Sequence, residues 1–153
     1  MVLAEQAHIV NILPPVDLNG SAKSSDVFSM KDCSHATIII QMGDTGAAST
    51  VTVEECDNFT PTTHTEIAFS VYKEETDAGD TLGARTAVAN TGFASSTNNN
   101  IFYVIEIDAE DLTPGYENLR ISFTDPTVST IASAVAILTG LSYQEGTNRT
   151  QIA

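Results

Sequence analysis

The chain has 153 residues, enough for one domain with a single buried core. A hydrophobic fraction of 42% excludes a disordered polymer, and a charged fraction of only 17% is made up by Thr, Ser and Asn, the texture of β-rich proteins with hydroxyl-bearing strand faces. Twenty acidic residues against six Lys and Arg leave a net charge of −14, which excludes nucleic-acid binding by counterion displacement and disfavours anionic membranes, so that a protein, a sugar or a cation remains as partner.

The opening segment, Met1 to His8, lacks the basic and apolar regions of an export signal, and no apolar run reaches the roughly 20 residues of a membrane helix. A soluble protein that stays in the cytoplasm where it is made is expected. Pro14-Pro15 and Asn19-Gly20-Ser21 give residues 1–23 the look of an extended N-terminal arm, leaving 24–153 as a single sandwich domain.

From there the chain reads with a period of two. Ala36 to Met42 is a β-branched run suited to a strand covered on both faces. After the turn Gly43 to Gly46, Ser49 to Glu55 alternates, with Val51 and Val53 on one side. Paired as a hairpin, these two strands would bring Cys33 and Cys56 towards each other at its open end. Two reduced thiols are nonetheless expected, because nothing signals export, and neither cysteine has zinc-type spacing. Glu66 to Lys73 aligns Ile67, Phe69 and Val71; a short strand is expected around Ala87 to Ala89, and Ser95 to Asn100 is a loop.

Ile101 to Asp108 is apolar on both faces, Phe102 and Val104 on one and Tyr103, Ile105 and Ile107 on the other, and should be central. Pro114-Gly115 turns the chain into a strand over Tyr116 to Thr124, and Asp125-Pro126 breaks it. The last strand, Ile131 to Tyr143, sets Ala132, Ala134 and Ala136 on one face and Ile131, Val135 and Ile137 on the other. With no helical segments to serve as crossovers, the fold is expected to be all-β: an antiparallel β-sandwich, jelly-roll-like, of about eight strands. Ile38, Ile40, Val51, Val53, Phe69, Val71, Val104, Ile121 and Phe123 are its expected core.

Candidate chemistry is sparse. His8, His35 and His64 read as surface or strand-edge histidines, since no nucleophile elbow is present and Cys33-Ser34-His35 is too close in sequence to imply a triad. Acid pairs occur at Glu54/Glu55, Glu74/Glu75 and Asp77/Asp80. A glycosidase needs two carboxyl groups facing across a cleft with aromatics to hold the sugar, but Trp is absent and Phe69, Phe102 and Phe123 fall on core faces. Asp108, Glu110 and Asp111 could offer oxygen ligands to calcium, yet their spacing matches no EF-hand, and a solvated turn is the preferred reading. Asn58-Phe59-Thr60 and Asn148-Arg149-Thr150 fit a glycosylation pattern that has no meaning without export, and Gly79 to Gly83 lacks the Lys of a phosphate loop. No catalytic residue, metal or cofactor is expected, and no enzymatic activity. The small-residue row Ala132/Ala134/Ala136 allows either ordinary core packing or close approach of another subunit.

The segments 12–20 (Ile-Leu-Pro-Pro-Val-Asp-Leu-Asn-Gly), His35 to Gly43, Thr50 to Glu54, Tyr103 to Leu112, Leu119 to Ser122 and Ala136 to Thr139, in that order, resemble small structural proteins of tailed bacteriophages encoded near the major capsid protein. The resemblance implies a head decoration, or cement, protein: a β-sandwich, often trimeric, bound to the outer capsid surface of the virion, with the major capsid protein as partner. The rivals are a tail or head-fibre component, and a carbohydrate-binding or adhesion module stacking sugar on Tyr72, Tyr116 or Tyr143. Two sheet edges with few basic residues to blunt them favour a closed homotrimer that buries the C-terminal strand and lets the arm reach a neighbouring subunit or the capsid. The residues expected at that interface are Ile9, Val10, Ile12, Leu13, Ala132, Ala134 and Ala136.

Overall fold

A computed structural model describes residues 2–77, 79–141 and 152, and in it the chain passes back and forth between two antiparallel sheets. The first has six strands in the order β1 (His8–Asp17), β12 (Thr130–Thr139), β4 (His35–Thr45), β10 (Ile101–Asp108), β7 (Phe69–Glu74) and β8 (Thr86–Val88). The second runs β2 (Lys23–Ser24), β11 (Asn118–Phe123), β5 (Thr50–Cys56) and β6 (His64–Ile67), with β3 (Phe28–Ser29) joined to β11 and β9 (Phe93–Ala94) to β5. The described helical structure is short: α1 (Leu3–Gln6) and a 3-10 turn at Ala109–Asp111. The architecture is the expected antiparallel sandwich.

Inward-facing residues of both sheets form one core. Ile38, Ile40, Val51, Val53, Val71 and Ile121 are fully buried, Phe123 and Phe69 nearly so. Val104 is the exception among the expected core residues. It is half-buried and lies on the opposite side of β10 from Tyr103, Ile105 and Ile107, which are buried. β10 is central, flanked by β4 and β7, but only one of its apolar faces is covered by the second sheet.

Three local expectations change. β4 and β5 do not form a hairpin; they lie in opposite sheets. The connection between them docks on the loop before β12: the Gly46 N–H donates to the Ser129 carbonyl at 3.0 Å, and a Cβ at Gly46 would lie 2.6 Å from that same oxygen, too close for any side chain. The Glu66–Lys73 run is likewise split. β6 belongs to one sheet and β7 to the other, with exposed Ala68 between them, so Ile67 is only half-buried while Phe69 and Val71 are core. The last strand ends at Thr139; Tyr143 lies outside the described residues, as does Asn148-Arg149-Thr150.

The segment read as an arm is extended, but its residues 8–17 form the edge strand β1, paired along β12 from His8 opposite Leu138 to Asp17 opposite Ile131. Register shifts between Asn11 and Leu13, and again between Leu13 and Val16, mark bulges. The first turns two consecutive side chains, Ile12 and Leu13, into the core, and the carbonyl of Ile12 accepts the Asp26 N–H at 2.8 Å. The second accommodates Pro14-Pro15, which have no N–H to offer and so blunt this edge.

Both cysteines are free and buried, Cys33 ahead of β4 and Cys56 at the end of β5. Burial pushes the Cys33 thiol pKa up and that of Cys56 to about 11, so both remain protonated at neutral pH.

Candidate functional site

The interface residues expected from sequence are placed as follows. Val10, Ile12 and Leu13 are buried inside the subunit, as are Ala132, Ala134 and Ala136, while Ile9 is 47% exposed. The alanines lie beside large inward neighbours in the sheet: Ala132 opposite Met42, Ala134 opposite Ile40 and Ala136 opposite Ile38. Small next to large levels the inner surface on which the second sheet rests, so close approach at this row occurs within the chain, between its own two sheets. The side of β12 that faces outward is the other one, with Ile131, Ser133, Val135 and Ile137.

These residues belong to a continuous outer surface. Opposite Val135 on β12 lies Ile39 on β4; opposite Ile39 lies Val104 on β10; opposite Val104 lies Tyr72 on β7. All four are half-buried. Asn11 on β1 extends this row opposite Val135; the next row toward one end carries Ile9, Ile137, Thr37, Glu106 and Ser70, and the next toward the other carries Ser133, Gln41 and Phe102. The central row carries no charged side chain, and the one carboxylate in the row beside it, Glu106, is already engaged by His35 and Thr37, in a chain whose net charge is −14.

Charge gathers at one end of this surface. His35 is held between two carboxylates: its Nδ1 lies 2.7 Å from Asp108 Oδ1 and its Nε2 lies 2.6 Å from Glu106 Oε2. Thr37 donates its hydroxyl to the same Glu106 oxygen at 2.7 Å. Both ring nitrogens face acceptors, an arrangement only the imidazolium can satisfy. Burial alone would lower its pKa, but the hydrogen bonds to Asp108 and Glu106 outweigh that and hold it above the ordinary histidine value. Beside this cluster an open groove of about 450 Å³ is lined by Ile67, Phe69, Ser70, Arg85, Glu106 and Asp111. Asp108 is thus engaged with His35, and Asp111 accepts the Asp108 N–H at 3.2 Å. Among the described residues no group of three or more His, Cys, Asp or Glu is arranged to hold a metal ion.

The remaining acid pairs do not face each other across a cleft. Glu54 and Glu55 are consecutive on β5 and therefore point to opposite sides. Glu54 accepts Arg120 Nε at 2.5 Å and lies 3.3 Å from His64 Nδ1, which offsets the like charge of Glu66 opposite it on β6. Glu55, also buried, accepts the Thr113 N–H at 2.8 Å and closes the loop after the 3-10 turn. Glu74 gathers its own loop, accepting N–H groups from Thr76 at 2.7 Å and Thr81 at 2.9 Å; Gly79 packs so near this carboxylate that a Cβ would come within 2.4 Å of it. The N–H groups of Thr76 and Thr81, the first the larger influence, lower the Glu74 pKa. Asp17 fastens β1 to the turn before β12 through Ser129 Oγ at 2.8 Å and the Thr130 N–H at 3.1 Å, and these bonds, with one from the Asn19 N–H as the largest influence, lower its pKa. Glu75 accepts the hydroxyl of fully buried Tyr103, which itself accepts the Ser96 N–H.

None of these contacts was legible in the sequence. The faint signal for the His35 cluster was the alternation of β10, which sets Glu106 and Asp108 on one face; the residue opposite them depends on β4 pairing with β10 across a sequence separation of about seventy residues.

No protein-family model matches the chain, and no curated protein is significantly similar to it. Among solved structures it is similar to the crystal structure of the SPBc2 prophage-derived protein YomS, at 12% identity and a TM-score of 0.41, over 86% of this chain and 94% of that one. At that distance the likeness carries no functional statement over to this chain.

Proposed function

We propose that the protein is a non-enzymatic structural component of a phage virion, binding the outer surface of the capsid as a head decoration protein, with the major capsid protein as partner. The observation that carries the reading is how the chain uses its acids. Buried Glu54, Glu55 and Glu74 are each bound by a guanidinium or by backbone N–H groups of their own subunit, and Asp17 ties down an edge strand. Carboxylates engaged in this way brace loops against a scaffold and do not converge on a substrate. A stiff acidic sandwich suits attachment to the outside of a particle, facing away from the packaged nucleic acid, and the ordered likeness of its strand segments to small phage structural proteins points to the same place.

The test is reconstitution. Purified protein is mixed with phage heads that lack it, and sedimentation with the heads and their resistance to heat are measured. Saturable co-sedimentation with a raised temperature of head disruption is the expected result. Heads that neither bind the protein nor gain stability from it would remove the capsid reading.

A further inference from the structure

We infer that the largely apolar outer face of the six-stranded sheet, centred on Val135, Ile39 and Val104, is covered by a second copy of this chain. Four observations select that occupant. The sheet edges are poor sites for self-association: β1 carries Pro14-Pro15 at a bulge, β8 has three residues, β2 two and β6 four. Pairing between copies therefore falls to faces. Second, two copies each carrying −14 repel wherever free carboxylates meet, and on the middle of this face the outward carboxylate, Glu106, is held by His35 and Thr37.

Third, a partner drawn to an acidic protein by charge would dock on its free acids, whereas a face whose central row carries neither sign is complementary to one like itself. Its polar members Gln41 and Ser133 can each donate and accept, so they suit a self-complementary contact. Fourth, the size is adequate. Five strands about 4.8 Å apart and some seven residues of about 3.4 Å each span on the order of 570 Å² per copy. Two copies then cover on the order of 1,100 Å², at the threshold for a specific contact. The Ala132/Ala134/Ala136 row proposed from sequence is thus replaced by its alternate on the same strand, one residue out of phase.

This inference goes beyond the capsid reading and can fail separately from it. The full chain is examined by light scattering at increasing concentration, together with three variants. Val135→Glu puts opposed carboxylates into the contact and should weaken self-association by roughly a hundredfold or more. Ser133→Arg alters a residue that is already polar and outward, so it tests the same surface without risk to the core. Thr65→Glu, exposed on β6 of the other sheet, should leave the oligomer intact. Circular dichroism confirms that each variant is folded. An oligomer lost in Val135→Glu and Ser133→Arg but kept in Thr65→Glu is the expected result. A wild-type monomer at every concentration overturns the inference, as does an oligomer that survives both outward variants. If the monomer still binds heads, and Val135→Glu abolishes that binding, the face belongs to the capsid protein and the virion reading stands alone.

Discussion

The inner and outer rows of the six-stranded sheet run side by side through the same strands. Ala134, Ile40 and Tyr103 face in; Val135, Ile39 and Val104, each the neighbouring residue or next to it in the chain, face out. Both rows are apolar, so both look like core in the sequence. What separates them is the second sheet, which lies over only one. A hydrophobic pattern states which side chains avoid water; the layer that shields them is a property of the fold or of the assembly.

Truncating one isoleucine from each row should give the largest difference. Ile40→Ala should cost about 3 kcal/mol in urea unfolding, because it leaves a cavity in a close-packed interior. Ile39→Ala, measured at the lowest workable protein concentration, should cost under about 1 kcal/mol. Equal losses would mean that the outer row is covered within the subunit.

A smaller effect contrasts the two sheets' outer surfaces, apolar on one and polar but internally satisfied on the other. Glu54→Gln removes the charged partner of Arg120 and should cost about 1.5–3 kcal/mol, the range for a hydrogen bond to a charged group. Glu110→Gln, in the exposed turn, should leave the unfolding midpoint unchanged. Next, Ala134→Leu should destabilise by about 1–3 kcal/mol through overpacking. Ser133→Ala, one residue away and facing out, should change stability by under about 0.5 kcal/mol.

The pH dependence of the rim of the outer face is gentler. Because the folded state raises the His35 pKa, the imidazolium contributes stability that is fully present below the ordinary histidine value of 6.5 and is lost as pH rises through the folded-state value. The unfolding midpoint should therefore fall across that interval in the wild type, and His35→Gln should flatten the slope. The smallest effect of all is expected at the cysteines. With both thiols free and buried, reductant should not shift the midpoint, and an alkylating reagent followed by mass spectrometry should label neither until the protein unfolds.

How far the sequence led can be judged strand by strand. Alternation located β4, β5, β10 and β11 and put Ile38, Ile40, Val51, Val53, Ile121 and Phe123 in the core, because a period of two is a local property. It put Val104 there too, and it missed buried Glu54 and Glu55. It failed where the outcome depended on distant chain. The break at Ala68 and the separation of β4 from β5 follow from which sheet each segment joins, and Ile12 with Leu13 looked like part of a loose arm because a bulge hides alternation. The His35 cluster lay beyond reach for the same reason: three residues on two strands become one site only once the register is set.

The pairing of β1 with β12 has a mechanical consequence. His8 and Leu138 stand opposite each other, so the outer ends of these two strands emerge at one corner of the sheet. Tension applied between them would open the ladder like a zipper, one hydrogen bond after another, instead of shearing all of them together. Attachments made at that corner would detach under low force, whereas a load entering through β4 or β10 would have to pull a strand from between two neighbours.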